Sequence, residues 1–316
     1  MKLNYVLLFA LLSVVCACHE EGTLEPLSTE MSLRFEFPEG ETTWDKDIAD
    51  IAEKYKTYLI YKNLTTDDFN QSWKGGGDFA GMTMGSPLND EQAVFCTNFM
   101  KDHVFAFLNP KVMDRVLPVY IYMAYNVYSE VSFGSFTFCA PIEEKSGMDF
   151  WCYCLESDPE TIIPPYEPIV RPRTSMDFKL RRGKILKSII EKIIAKGNIE
   201  IPAVFTADFD YVTEVKYMLG TENDKNYYKK RGFADQFSGY NSSGSLWSVS
   251  RTTPQKNFLN YIILAARYSR DSVAILNPPS EFPKIIQYYD YTVEYLKTNY
   301  NWDITKIAEM PIIENQ

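Results

Sequence analysis

Five prolines between residues 159 and 172 (Pro159, Pro164, Pro165, Pro168 and Pro172) constrain this chain more than any other feature. Proline has no main-chain donor and clashes with the preceding helical turn, so the stretch cannot be helix interior and has to run across the surface. It separates a strand-rich part, residues 31–158, from a helical part, residues 175–316, with the connection at 159–174. The expected fold class is therefore α+β, strands first and helices after.

Periodicity fills in the two parts. Ser32 to Phe37 alternates like a strand, Trp44 to Tyr55 has helical spacing through Ile48, Ile51, Ala52 and Tyr55, and Thr57 to Tyr61 reads as a second strand. Thr65 to Asp90, with Gly75-Gly76-Gly77, reads as a long loop holding at most one helical turn. The glycine triplet lacks the Lys-Ser/Thr ending of a phosphate loop. Asp90 to Leu108 predicts a helix capped by Asn89 or Asp90 and stopped by Asn109-Pro110. Val116 to Val131 predicts a strand, and Phe133 to Ala140 with Met148 to Leu155 a hairpin. In the second part, helices are predicted from Ser175 or Asp177 to Lys196, from Thr253 onward, and from Pro283 to Tyr300. Pro202 to Asp208 and Asn226 to Phe233 read as loop, turn or helix end.

The chain has 316 residues, of which 46% are apolar, enough for a large core. Its net charge is −10 and no long basic run occurs, which excludes nucleic acid as an expected partner.

The amino-terminal end reads as a bacterial lipoprotein signal, residues 1–17. A basic start at Lys2 is followed by the apolar run Tyr5 to Val15 and then Val15-Cys16-Ala17-Cys18. That run is too short to cross a hydrocarbon layer of about 30 Å. Cys18 is the expected lipid-bearing residue and residues 18–30 a polar tether, although an ordinary cleaved signal peptide has the same general form. His19-Glu20-Glu21 resembles the acidic tag that sends Bacteroides-type lipoproteins to the outer face of the cell. The expected location is thus the outer membrane, held by lipid on Cys18 and facing the exterior. Of the cysteines that remain, Cys139 would face Cys152 if Glu144 to Gly147 formed a hairpin loop, which leaves a disulfide open. Buried free thiols at Cys96, Cys139, Cys152 and Cys154 are the simpler reading. The paired spacing of zinc ribbons is absent.

Three short motifs carry a family resemblance: Lys230-Arg231-Gly232-Phe233, Asn257-Phe258-Leu259-Asn260, and Val293-Glu294-Tyr295-Leu296-Lys297 with Trp302-Asp303-Ile304. In these, and in element order over most of the chain after the signal, the sequence resembles the zinc-binding metallopeptidase lipoproteins of Bacteroides-type bacteria. These are also termed substrate import-associated zinc metallohydrolase lipoproteins. The resemblance implies a zincin-like fold and a helix carrying His-Glu-x-x-His, whose imidazoles share a zinc while the glutamate activates water. The matching helix runs through Lys184 to Ile194. If Glu191 takes the place of the glutamate, the histidine positions fall on Ile190 and Ile194, which cannot bind metal. The family's acidic Asp-Phe-Ala-Glu motif corresponds to Asn257 to Asn260, so both carboxylates are amides. Only His19 and His103 exist in the whole chain. The resemblance thus implies a degenerate member with no metal, no cofactor and no catalytic residue beyond the vestigial Glu191. At about 100° per residue, Ile185, Leu186, Ile189, Ile190, Ile193 and Ile194 share one half of that helix, with Lys184, Lys187, Ser188, Glu191 and Lys192 on the other.

The resemblance also implies a partner, a SusC/SusD-type TonB-dependent importer, and a role in binding or presenting an oligomeric nutrient, peptide or glycan. The alternative is an active hydrolase, peptidase or glycosidase, working with carboxylates or an atypical metal. Asp208, Asp210 and Glu214, or Glu143 and Glu144, are its candidate acids. A purely structural subunit is a third possibility. No Gly-x-Ser-x-Gly elbow occurs, and His103 is the one histidine outside the tether, which disfavours a nucleophilic triad. Aromatic residues reach 15%, and most are expected in the core or at its rim. Trp73, Tyr240 and Trp247 lie in loop-like stretches suited to stacking on a sugar or a peptide.

Overall fold

A computed structural model describes residues 33–71, 81–133, 136–216, 220–234 and 252–312. The expectations for Cys18, the signal and tether, the glycine triplet, Trp73, Tyr240 and Trp247 lie outside these residues. The chain divides into two compact units, residues 1–36 and 37–316, and everything below concerns the second.

That unit is a mixed α+β structure. Helix α1 (Thr43–Tyr55) begins at a capping box in which Thr42 and Asp45 exchange hydrogen bonds. Strand β1 (Tyr58–Ile60), helix α2 (Thr66–Phe69), strand β2 (Thr83–Ser86) and helix α3 (Asp90–Phe99, capped by Asn89) follow. A π-turn, Met100–Val104, and a 3₁₀ turn, Phe105–Phe107, continue α3. Next come β3 (Tyr120–Phe133), β4 (Phe136–Pro141), β5 (Glu144–Ser146) and β6 (Phe150–Cys154). The remaining elements are helical: α4 (Ser175–Lys196), α5 (Ala203–Ala207), α6 (Pro254–Arg267), α7 (Arg270–Leu276), α8 (Pro283–Tyr300) and a 3₁₀ turn, Ile304–Ala308.

β3 organises the sheet. Its first residues, Tyr120 to Ala124, are all buried and run parallel between β1 and β6, as an apolar run covered on both faces should. Its later residues pair antiparallel with β2 and β4. The change of partners coincides with Asn126, which sits at φ 52°, a left-handed conformation that asparagine tolerates better than most residues. The Asn126 amide group donates to Thr161 Oγ1 (3.1 Å) and accepts from the Asp158 N–H (3.1 Å), so the kink also fastens the start of the proline-rich connection. Further along, Ser157 and Ile169 hold the two ends of that connection together, and Ile162, Ile169 and Pro172 turn inward from it.

Several predicted elements are corrected. Residues 33–37 contain no strand; their alternation finds no partner. The loop predicted over 65–90 contains β2, and Pro202 to Asp208 contains α5. The predicted hairpin between Phe133–Ala140 and Met148–Leu155 does not form. β4 pairs with β3, β6 pairs with β3 in parallel, and the supposed hairpin loop Glu144–Ser146 is itself a strand on the free side of β6. Gly147 makes the β5–β6 turn possible because the Phe150 ring lies where a Cβ would be. Cys139 therefore faces Glu130 while Cys152 faces Tyr122 and Lys145, and neither cysteine is in a disulfide.

The helices of the second part pack around α6, whose residues from Tyr261 to Ala266 are all buried. Arg182 of α4 is also fully buried. Its guanidinium lies 4.8 Å from the centre of the Phe107 ring and donates to the carbonyls of Ile307 (2.7 Å) and Glu309, tying the last 3₁₀ turn to α4. Among the described residues no helix is long and apolar enough to cross a membrane.

Candidate functional site

The helix singled out by the sequence is α4. Its start is fixed by a capping box in which the Asp177 carboxylate accepts from the N–H groups of Thr174 (2.9 Å) and Arg173 (3.2 Å). Those backbone bonds hold the Asp177 pKa below the usual carboxylate value. Its end is Gly197, at φ 75°, the left-handed position that glycine takes without strain.

Between these ends the helix is two-faced. Ile190 and Ile194 are 1% and 3% exposed, inside the core with Ile185, Leu186, Ile189 and Ile193. Glu191 lies on the solvent side and pairs with Lys187 across one turn at 3.4 Å. Asn257 and Asn260 sit on α6, 1% and 9% exposed. The Asn257 amide donates to the Tyr211 hydroxyl at 3.3 Å, and its Oδ1 has no hydrogen-bond partner. The two helices meet where Gln255 donates to the Ile194 carbonyl at 3.1 Å. The five positions do not share one open groove: four are interior and Glu191 is outside.

This donor set does not fit zinc. Two aliphatic side chains stand at the imidazole positions, and the amide oxygens of Asn257 and Asn260 are weak neutral donors compared with carboxylates. Among the described residues no group of three or more His, Cys, Asp or Glu side chains is placed to hold a metal ion.

The candidate carboxylates separate into two surroundings. Asp208 accepts from the Tyr288 hydroxyl at 2.8 Å. Asp210 accepts from the N–H groups of Val212 (2.9 Å) and Thr213 (3.0 Å) and pairs with Arg231 at 3.2 Å. Hydrogen bonds from Thr213 lower the Asp210 pKa to about 2. Glu214 enters through its main-chain carbonyl, near Arg231. These bonds fold the 208–214 turn and leave Asp210 a poor proton donor.

Glu143 and Glu144 are different. They follow β4 and lie against the solvent face of α4. The Glu143 carboxylate is bridged by Lys184 (2.7 Å) and Arg181 (3.3 Å), while Glu144 accepts from Ser188 Oγ at 3.2 Å. Although Glu144 remains partly open to solvent, burial of its carboxyl raises its pKa, a shift opposed by the Ser188 hydrogen bond and reinforced by Glu143. One turn on, the Lys192 ammonium lies 5.1 Å from the centre of the Trp151 ring on β6. The sheet edge and α4 thus enclose a strip of paired charges.

Beside this strip is a groove of about 600 Å³, walled by the proline-rich connection, the β4–β5 corner and one face of α4 through Asp177, Leu180, Arg181 and Lys184. Sequence reasoning named Glu143 and Glu144 but missed the groove, whose walls come from three separated segments. The one local signal was Asp177, Leu180, Arg181 and Lys184 recurring at helical spacing. A second cavity of about 590 Å³ lies between α8 and the final 3₁₀ turn, rimmed by Arg270, Asp290, Glu294 and Glu309.

No family model matches the chain, and no curated protein matches it. Among solved structures it is similar to a crystal structure of a "putative zinc-binding metallo-peptidase" from Bacteroides caccae ATCC 43185. The two are 10% identical with a TM-score of 0.42, over 84% of this chain and 88% of that one.

Proposed function

We propose that the protein is a surface-exposed outer-membrane lipoprotein with a zincin-like α+β fold and no zinc chemistry. In this reading it binds or presents an oligomeric nutrient, peptide or glycan, to a SusC/SusD-type TonB-dependent importer. The observation that carries the non-catalytic part is the burial of Ile190 and Ile194, which occupy the positions where two imidazoles would have to reach a metal. Burying an isoleucine stabilises by roughly 1.5–3 kcal/mol, so these residues serve the core. The anchor and location rest on the residues around Cys18, and the importer on the family resemblance. Co-purification of the native lipoprotein from outer membranes with an importer pair is the expected result, together with intact mass showing lipid on Cys18. An unmodified Cys18, or isolation without any importer component, overturns the reading.

One observation favours the alternative, a hydrolase that works through carboxylates. Glu143 is held ionised by two cations, while its neighbour Glu144 has a raised pKa, the separation that an acid and a base need. Hydrolysis of mixed peptides or glycans that is abolished by Glu144→Gln would establish it. Equal turnover in that variant and the native chain, or none in either, excludes it.

A further inference from the structure

The groove beside α4 is walled by main chain as well as by side chains. Glu167 and Arg171 each precede a proline and are held extended, and Pro168 and Pro172 have their own φ fixed. Between them Ile169 commits both main-chain groups to Ser157: its N–H donates to Ser157 Oγ at 2.6 Å and its C=O accepts from the Ser157 N–H at 2.9 Å. In an extended run the next residue's groups face the opposite way. That residue is Val170, whose N–H and C=O have no hydrogen-bond partner among the described residues and whose side chain is 63% exposed. Across the groove stands Leu180, also exposed at 40%.

The charges of the wall are already matched. Arg171 is held by Glu91 and Glu156, Glu143 by Arg181 and Lys184, and Asp177 by the start of α4. The wall therefore offers hydrogen-bonding edges without a strong pull on either sign of charge. Among the described residues that line it, no Trp, Tyr, Phe or His presents a ring on which a sugar could stack. An open main-chain donor and acceptor beside an apolar shelf are features that recognise an extended peptide. A volume of about 600 Å³ is in the range of small-ligand pockets.

Resting on the reading of the protein as a ligand-binding lipoprotein, we propose that this groove binds an extended peptide segment. The peptide pairs its main chain with Val170 and lays an apolar side chain against Leu180 and Pro168. Peptide, rather than glycan, is the nutrient class this site selects.

Fluorescence anisotropy tests the assignment with the purified intact protein and a fluorescein-labelled hexapeptide of alternating serine and leucine. Val170→Pro removes the main-chain donor from a segment its neighbours already hold extended, and Leu180→Asp places a charge on the apolar shelf. Both residues are exposed, and circular dichroism checks that each variant is folded. The expected result is binding that weakens at least about tenfold, or 1.4 kcal/mol, in each variant and is not displaced by maltohexaose. Unchanged affinity in either variant overturns the groove assignment and leaves the binding-protein reading standing. Displacement by maltohexaose overturns the choice of peptide over glycan. No peptide binding up to about 1 mM overturns the proposal outright, whereas the importer reading stands or falls separately by co-purification.

Discussion

Ile194 and Glu191 lie three residues apart on α4 and should respond to substitution in opposite ways. Ile194→Ala empties a fully enclosed position and is expected to cost about 2–5 kcal/mol in urea unfolding. Glu191→Gln removes one exposed pair with Lys187 and should change stability by no more than about 0.5 kcal/mol. A large loss for Glu191→Gln would give that carboxylate a role its surroundings do not explain. His103 is the other residue with a distinct expectation. It lies 4.8 Å from the Phe178 ring and 5.4 Å from Phe99, with Nδ1 buried and lacking a hydrogen-bond partner. Burial lowers its pKa, Arg182 lowers it further, and Asp102 works against both. The folded protein therefore binds the His103 proton less readily than the unfolded chain, so stability should fall as pH drops through about 6.5 toward the depressed folded value. Chemical unfolding at pH 7 and pH 5 should show that loss, and His103→Phe should flatten it.

At the scale of elements, Asn126 is the most informative single position. Asn126→Ala removes hydrogen bonds to Thr161 and Asp158 and forces an unsuited residue into φ 52°. It should cost about 1–3 kcal/mol, and limited proteolysis should cut the proline-rich connection sooner than in the native chain. A variant as stable and as resistant as the native chain would remove Asn126 as the fastener. Helices were the legible elements. α1, α6 and α8 carry their own boundaries in Thr42, in Thr253 with Pro254, and in Pro283, because caps and proline effects are local. Strand partners were not legible. Phe150 to Cys154 is a continuous apolar run that fits a hairpin arm and a buried parallel strand equally well, and only the distant residues of β3 decide between them. β5 was hidden because Glu144-Lys145-Ser146 is polar, as an edge strand with one solvent side is allowed to be.

For the molecule as a whole, the pattern of α4 could be read ahead of the structure because the helix carries its apolar half in one continuous segment. The groove could not, since Pro141, Val170 and Leu180 are brought together only by folding. Metal dependence tests the whole-molecule reading most directly. Because the donor set does not fit zinc, saturating zinc and excess EDTA should leave the melting temperature unchanged within about 1 °C, since an ion that does not bind the folded state cannot stabilise it. A zinc-dependent rise, with stoichiometric metal by mass spectrometry, would show that the chain builds a centre from residues other than those on α4 and α6.

The division of β3 between two sets of partners has a consequence for biogenesis. The strand is synthesised whole by residue 133, but β6, which flanks its buried first half, is complete only at residue 154. Until then a nascent chain displays an unsatisfied apolar ribbon, and parallel closures of this kind are slow. Copies that terminate between those two points would keep the ribbon bare and offer it to one another, so premature truncation there should yield aggregates rather than soluble fragments.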